Sequence, residues 1–130
     1  SLVEQYRVPL GKCSLELPAR LVGDGAGEEN EEAETAAIRE LEEETGYRAA
    51  QMENLGEFYS SPGLVSESFT LFRARGLTRV HDGGGTEGEN IIVHRVPLSE
   101  VRSYVEARRA EGMALDVKLL IALGGEFLDC

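Results

Sequence analysis

Four of the six residues from Arg39 to Glu44 are glutamates. On a helix, Glu40 and Glu44 are one turn apart and project from one face, which Glu43 flanks. Carboxylates placed in this way repel one another and weaken a helix that has no cation between them. Hard divalent cations such as Mg2+ take oxygen ligands and would reverse this penalty, and Arg39 could hold a carboxylate in one rotamer. The segment therefore predicts a divalent metal site, with a solvated helix face as the alternative that composition alone favours.

The charge of the chain is concentrated in this same segment. Nine of the 24 acidic residues lie between Glu28 and Glu44, and the net charge is -11. The remainder is near balance and shows no basic patch with aromatic residues, so no nucleic-acid partner is expected. No apolar run is long enough to span a bilayer, so no membrane association is expected either. Cys13 and Cys130 are too few for a disulfide framework, which favours a reducing, cytoplasmic location.

Periodicity and turn residues predict one α+β domain over residues 1–130, in which a mixed sheet packs against helices. Apolar spacing predicts a helix over residues 29–45 that ends at Gly46. Two further helices are expected after the capping residues Ser99 and Asp116. A glycine-rich loop is predicted over residues 81–88. Strands are predicted at residues 2–8, 15–17, 52–59, 68–74 and 90–96.

The order of residues around the acidic helix resembles the Nudix box, in which only Tyr47 is unusual, because an aliphatic residue is commoner there. The matching string is Gly25-x5-Glu31-x7-Arg39-Glu40-Leu41-x-Glu43-Glu44-x-Gly46-Tyr47. This resemblance to the Nudix hydrolase family implies the Nudix fold, a mixed β-sheet sandwiched between α-helices. It also implies that Glu40 and Glu44 bind Mg2+ or Mn2+, that Glu43 assists catalysis and that Arg39 orients the carboxylates.

Three short motifs resemble the ADP-ribose pyrophosphatase and nucleoside diphosphate sugar hydrolase branch of that family. Residues 3–7 resemble a strand whose arginine, here Arg7, reaches the substrate. Residues 16–19 resemble the branch's Leu-Pro-Ala-Gly turn, which implies a substrate contact for Glu16 and a metal-binding carbonyl for Ala19. Pro62 follows Gly46 by sixteen residues and matches a proline that marks the branch, although a simple turn is the alternative for Ser-Pro-Gly.

Acidic residues outside the box complete the expected site. Glu87 lies in the glycine-rich loop and matches the position of the branch's general base, and Glu89 matches that of a further metal ligand. A mobile loop would suit a base because it can close over bound substrate. Glu67 matches a glutamate that contacts metal or substrate. Ordinary exposed acidic residues are the alternative for all three.

Several features depart from the family pattern. Arg20 replaces the last glycine of the Leu-Pro-Ala-Gly turn, and the loop between it and the helix is longer than usual. No segment of residues 1–130 resembles the leading strands that help relatives pair, and the start at Ser1 suggests processing or an origin within a longer protein. A homodimer is still expected, because relatives of this branch are usually homodimers. His81 and His94 have no cysteine nearby, so surface or sheet histidines are predicted rather than a transition-metal site.

These patterns favour a hydrolase that uses a divalent metal to cleave the diphosphate linkage of a nucleoside diphosphate derivative. ADP-ribose or a related nucleotide sugar is the expected substrate, and the products would be a nucleoside monophosphate and a sugar phosphate. Two alternatives stay open: a MutT-like nucleoside triphosphate pyrophosphohydrolase, and a Nudix-fold module that binds a nucleotide without hydrolysing it. Pro62 and the Glu87 loop argue against the first, and the intact glutamates of the box argue against the second.

Overall fold

A computed structural model describes residues 1–18, 30–85, 88 and 90–124. The first two strands, β1 (Leu2–Arg7) and β2 (Lys12–Glu16), pair antiparallel on either side of a short 3-10 turn, Val8–Leu10. Gly11 closes this turn in a left-handed conformation with φ 65°. The turn reverses the chain so that Val3 lies opposite Glu16 and Arg7 lies opposite Lys12.

Two short strands widen this pair into a mixed sheet. Strand β5 (Ile92–His94) pairs antiparallel with β1, and β6 (Ala114–Leu115) pairs parallel with β2. The order across the sheet is β5-β1-β2-β6. The α+β class and the mixed sheet that the sequence predicted are therefore confirmed, although β5 is shorter than the expected strand over residues 90–96.

A second sheet consists of one long antiparallel hairpin. Its strands are β3 (Tyr47–Tyr59) and β4 (Ser68–Arg79), with an irregularity in the pairing between Asn54 and Gly56. Both strands exceed the predicted ranges, β3 at its start and β4 at its end. The extension pairs Tyr47 with Arg79, which brings the end of β4 beside the start of β3, two residues after the acidic helix ends.

The acidic helix, α1 (Asn30–Thr45), runs directly into β3 and packs against it. Gly46 stops the helix as predicted, with φ 80° and its N–H donating to the Glu42 carbonyl at 2.8 Å. The side chain of Thr45 is buried, and its hydroxyl donates to the carbonyl of Leu41. The last turn of α1 is thus fixed at a sharp helix-to-strand junction.

Two further helices cover the mixed sheet. These are α2 (Val101–Ala110) and α3 (Leu119–Gly124), and they close a core of Leu2, Leu15, Val101, Val105 and Leu119. Burying each such side chain contributes roughly 1.5–3 kcal/mol. The inward face of α2 carries the buried Val101 and Val105 and the partly buried Tyr104 and Arg108, whose spacing places them on one side of a helix. No helix in the described ranges is both long and apolar enough to cross a membrane.

The predicted starts of these two helices need correction. Ser99 does not cap α2: it lies inside a 3-10 turn, Leu98–Glu100, and the cap position falls on Glu100 without a side-chain hydrogen bond. Pro97 in front of this turn restricts the backbone and sets the entry to the helix. Asp116 does form a capping turn, since its Oδ1 accepts from the N–H of Lys118, but α3 begins only at Leu119.

Candidate active site

The acidic face of α1 is partly covered by the rest of the protein. Glu44 is only 6% exposed, Glu40 and Glu43 are partly buried, and Arg39 is exposed. Helical geometry places Glu40 and Glu44 on one face, as the spacing predicted. A carboxylate as buried as Glu44 is costly to keep charged unless positive charge lies within reach. The location of that positive charge identifies the rest of the site.

Strands β1 and β2 supply a guanidinium held by a buried carboxylate. Arg7 donates through Nε and Nη2 to the two carboxylate oxygens of Glu16, at 2.8 and 2.7 Å. Glu16 lies opposite Val3. Val3 precedes Arg7 by four residues and lies on the same face of β1, so the Arg7 side chain extends along the sheet to reach Glu16. The Glu16 side chain is 11% exposed and that of Arg7 45%. Glu16 thus holds the Arg7 guanidinium in one orientation while leaving it accessible.

The electrostatics of Arg7 connect this pair to α1. The hydrogen bond to Glu16 is the largest influence and raises the pKa of Arg7; partial burial opposes it, and the charges of Glu16, Asp116 and Glu44 raise the pKa further. The charges of three carboxylates from three parts of the chain therefore act on one guanidinium. Three separate motifs of the sequence predict Arg7, Glu16 and Glu44 as site residues; the structure pairs Arg7 with Glu16 and places Arg7 within electrostatic range of Glu44.

Asp116 and Lys118 lie close to the Arg7–Glu16 pair, and the sequence did not predict them as site residues. The Lys118 ammonium is 2.9 Å from the Asp116 carboxylate and 5.5 Å from the centre of the Phe69 ring. Phe69 stacks in turn on Phe58 across the hairpin, with ring centres 5.9 Å apart. Asp116 had been assigned only as a helix cap, and no local motif distinguishes it from other capping residues. Its position near Arg7 follows from the parallel pairing of β6 with β2.

The hairpin loop, residues 60–67, carries two of the predicted substrate residues. Pro62 and Glu67 are both exposed. The N–H groups of Leu64 and Val65 donate to the Ser61 carbonyl, so Ser-Pro-Gly does form a turn. An open groove of about 540 Å³ lies over this loop, lined by Tyr59, Pro62, Gly63, Leu64, Val65 and Ser66. Because Phe69 contacts Lys118, the end of the hairpin adjoins the group around Arg7 and Asp116.

The start of the glycine-rich loop docks on the end of α1. The N–H of Gly84 donates to the Glu44 carbonyl at 2.8 Å, and that of Gly85 to the Glu43 carbonyl at 2.9 Å. Arg95, which follows β5, donates to the carbonyls of Thr45 and Asp82. The predicted base Glu87 and the predicted ligands Glu89 and Ala19 lie outside the described residues, as do Gly25 and Arg20.

The histidines have structural surroundings. His94 lies in β5, with Nε2 at 2.9 Å from Oε1 of Glu4 and its ring against Tyr104. Nδ1 of His81 accepts from the N–H of Gly83. These positions agree with the prediction of surface or sheet histidines.

Two carboxylates of α1 suit a hard cation by the chemistry of their donor atoms. Glu40 and Glu44 offer oxygen ligands only, as Mg2+ and Mn2+ require. Within residues 1–18, 30–85, 88 and 90–124, no group of three acidic, histidine or cysteine side chains is placed to hold a metal ion.

Comparison with known proteins gives the family. A sequence profile of the NUDIX domain matches residues 2–115. The chain is 39% identical over 123 residues to the methanol dehydrogenase activator of Bacillus methanolicus, a match covering 94% of this chain and 62% of that protein. It is 38% identical over 108 residues to the ADP-ribose pyrophosphatase of Bacillus subtilis (strain 168), covering 82% of this chain and 56% of that protein. The chain thus spans little more than half the length of these relatives.

The fold comparison agrees with the sequence comparison. The crystal structure of an ADP compounds hydrolase superposes with a TM-score of 0.55 at 27% identity, over 81% of this chain and 54% of that one. The profile match includes the acidic helix, the Arg7–Glu16 pair and the hairpin. The chain belongs to the Nudix family.

Proposed function

We propose that this protein is a metal-dependent pyrophosphatase that cleaves the diphosphate linkage of ADP-ribose or a related nucleotide sugar. The observation that carries the proposal is the arrangement of Arg7, which Glu16 fixes within electrostatic range of the buried Glu44 of α1. A diphosphate needs its negative charge neutralised from more than one side. A guanidinium on one side and cation-binding carboxylates on the other would meet that need.

In this proposal, Glu40 and Glu44 hold Mg2+ or Mn2+, and the Ala19 carbonyl and Glu89 complete the ligand set. When bound, such a cation would neutralise charge on the diphosphate and polarise its phosphorus. Burial of Glu44 supports its role, because a carboxylate in a low-dielectric position interacts more strongly with a cation than an exposed one does.

The remaining side chains bind and orient. Arg7 contacts a phosphate of the substrate, and Glu16 keeps the guanidinium directed toward it. Arg39 orients the carboxylates of the helix, and Glu43 assists them. Pro62 and Glu67 contact the substrate from the hairpin loop, whose turn adjoins the group around Arg7 through Phe69 and Lys118.

Glu87 acts as the general base. It removes a proton from water, whose oxygen forms a new bond to one phosphorus, and the P–O–P bond of the diphosphate breaks. The electron pair of that bond leaves with the second phosphate. The products are a nucleoside monophosphate and a sugar phosphate.

Relatives support the choice of substrate class, since one is named for ADP-ribose and another for ADP compounds. Purified protein with Mg2+ would be tested against ADP-ribose, a guanosine diphosphate sugar and nucleoside triphosphates, with products separated by chromatography. AMP and ribose phosphate from ADP-ribose are expected. Pyrophosphate released from triphosphates would instead support the MutT-like alternative, and binding without turnover would support a non-catalytic module.

We also propose an assembly and a location for this protein. Residues 1–130 would act as one Nudix domain, as a homodimer in the cytoplasm. Support for a dimer comes from apolar side chains exposed around the β1–β2 turn, namely Tyr6, Val8 and Leu10. Light scattering at micromolar concentration tests the assembly, and a monomeric mass would refute it.

A further inference from the structure

The last carbonyls of α1 are satisfied by a distant part of the chain. A helix leaves its final carbonyl groups without partners inside the helix. Here the N–H groups of Gly84 and Gly85 donate to the carbonyls of Glu44 and Glu43, at 2.8 and 2.9 Å. The residues whose carbonyls are held in this way are two of the glutamates of the acidic face. We call residues 80–85 the docking segment.

Arg95 ties the docking segment to the helix. Its Nη2 donates to the carbonyl of Thr45 and to the carbonyl of Asp82, both at 3.1 Å. Its guanidinium also lies 5.4 Å from the centre of the Tyr47 ring. A cation at the carboxyl end of a helix is favourable because the aligned peptide dipoles place negative charge there. A planar guanidinium can serve two carbonyls and a ring at once, which a lysine ammonium does less well.

The contact leaves no room for a side chain. Gly83 has φ +79°, and a Cβ on it would lie 2.6 Å from the carbonyl oxygen of Glu44 and 2.6 Å from the carbonyl carbon of Thr45. A Cβ on Gly46 would lie 1.9 Å from the carbonyl oxygen of His81. Because these contacts are backbone against backbone, neither side can yield by rotating a side chain. The docking segment can therefore pack against the end of α1 only with glycine at positions 46 and 83.

We propose that Arg95 is a positioning residue for the metal site. By clamping the docking segment, it holds the last turn of α1 in the geometry in which Glu43 and Glu44 act on a divalent cation. Arg95 reaches that cation only through the backbone of the helix. The inference rests on the proposed function in taking a divalent metal as the ligand. Coupling of this kind is reciprocal, so metal binding must stabilise the clamp as much as the clamp stabilises metal binding.

Mn2+ alone is the probe, since its free concentration is measured by electron paramagnetic resonance without substrate. Arg95→Met should weaken Mn2+ binding on the order of tenfold, the lower end of the effect seen when a group supporting a metal ligand is removed. Arg95→Lys should fall between this variant and wild type. Arg48→Met is the matched control. It also removes one arginine from α1's surroundings, but Arg48 pairs with the Glu42 side chain on the exposed side of the helix. Its Mn2+ affinity should stay within about twofold of wild type.

Amide exchange on the wild-type protein tests the same idea without any substitution. Saturating Mn2+ should slow hydrogen exchange at Gly84 and Gly85, the two amides that donate to α1. Exchange unchanged by Mn2+ would overturn the inference, and so would Mn2+ binding by folded Arg95→Met and Arg95→Lys as tight as that of wild type. A wild-type protein that binds no Mn2+ would refute the proposed metal-dependent function itself, and this inference with it.

Discussion

The doubly hydrogen-bonded ion pair between Arg7 and Glu16 should contribute more to the free energy of unfolding than an exposed surface ion pair does. A double-mutant cycle tests this: the free energies of unfolding of wild type, Arg7→Met, Glu16→Gln and the combined variant are measured in urea. Two hydrogen bonds of 2.8 and 2.7 Å connect the charged groups, and bonds to charged groups contribute about 1.5–3 kcal/mol when buried. Arg7 is 45% exposed, so solvent screening lowers this value. We expect a coupling free energy of about 1–2 kcal/mol.

The two single variants should differ in a direction that the surrounding charges determine. Arg7→Met removes the guanidinium whose charge acts favourably on Glu16, Glu44 and Asp116. Glu16→Gln leaves Arg7 with two of its three carboxylates. Arg7→Met should therefore destabilise the protein more than Glu16→Gln does. Because Glu16 orients Arg7, Glu16→Gln should also raise KM for ADP-ribose more than it lowers kcat.

The pair formed by Arg48 and Glu42 provides a control within the same chain. It has the same fork geometry, at 3.2 and 3.0 Å, but lies on the exposed surface of α1. Its coupling should be much smaller because water competes for both groups. Equal coupling in the two cycles would show that burial of Glu16 adds nothing. Equal destabilisation by Arg7→Met and Glu16→Gln would show that Glu44 and Asp116 do not act on Arg7.

Three further predictions follow from the site and its surroundings. Glu44→Gln should weaken Mg2+ binding in calorimetry because it removes a charged ligand, and equal binding by both proteins would refute the metal assignment. Glu87→Gln should lower kcat by about a hundred- to ten-thousand-fold and leave Mg2+ affinity and thermal stability unchanged. Glu89→Gln should instead weaken metal binding. If Glu87→Gln retains more than about half of wild-type turnover, the general base lies elsewhere. The third prediction concerns Tyr104, whose pKa is raised, and burial of its phenol is the largest cause of that rise. The phenol therefore stabilises the fold fully below the unfolded pKa near 10, and this contribution is lost as pH rises through the higher folded value. In urea unfolding, the stability of wild type relative to Tyr104→Phe should then fall above about pH 10, and a pH-independent difference would contradict this.

The sequence by itself determined the features that depend on neighbouring residues. The spacing of Glu40, Glu43 and Glu44 set one face of α1, because side chains three and four apart on a helix are adjacent. Gly46 marked the helix end, because glycine adopts a positive φ at little cost. The order of residues in the box, with the motifs around Arg7 and Pro62, was enough to predict the family, because such short patterns can be recognised without knowledge of the fold. The roles of Ala19, Glu87 and Glu89 stay predictions.

Elements whose bounds depend on partners were predicted less well. Strands β3 and β4 extend beyond their apolar cores because each supplies the other with backbone hydrogen bonds along the hairpin. Strand β5 is short because only three of its residues pair with β1. Ser99 looked like a helix cap, and Pro97 placed a 3-10 turn there instead.

Only the tertiary structure could bring together residues that no local pattern connects. Asp116 lies within electrostatic range of Arg7 because its N–H donates to the Leu15 carbonyl where β6 pairs with β2, and Lys118 lies against Phe69. Arg95 meets the end of α1 across 50 positions of the chain. Helical and strand periodicity carry information over a few residues, whereas these contacts depend on how sheets and helices pack around a shared core. Which carboxylates surround Arg7, and what holds the end of the acidic helix, were therefore decided by packing.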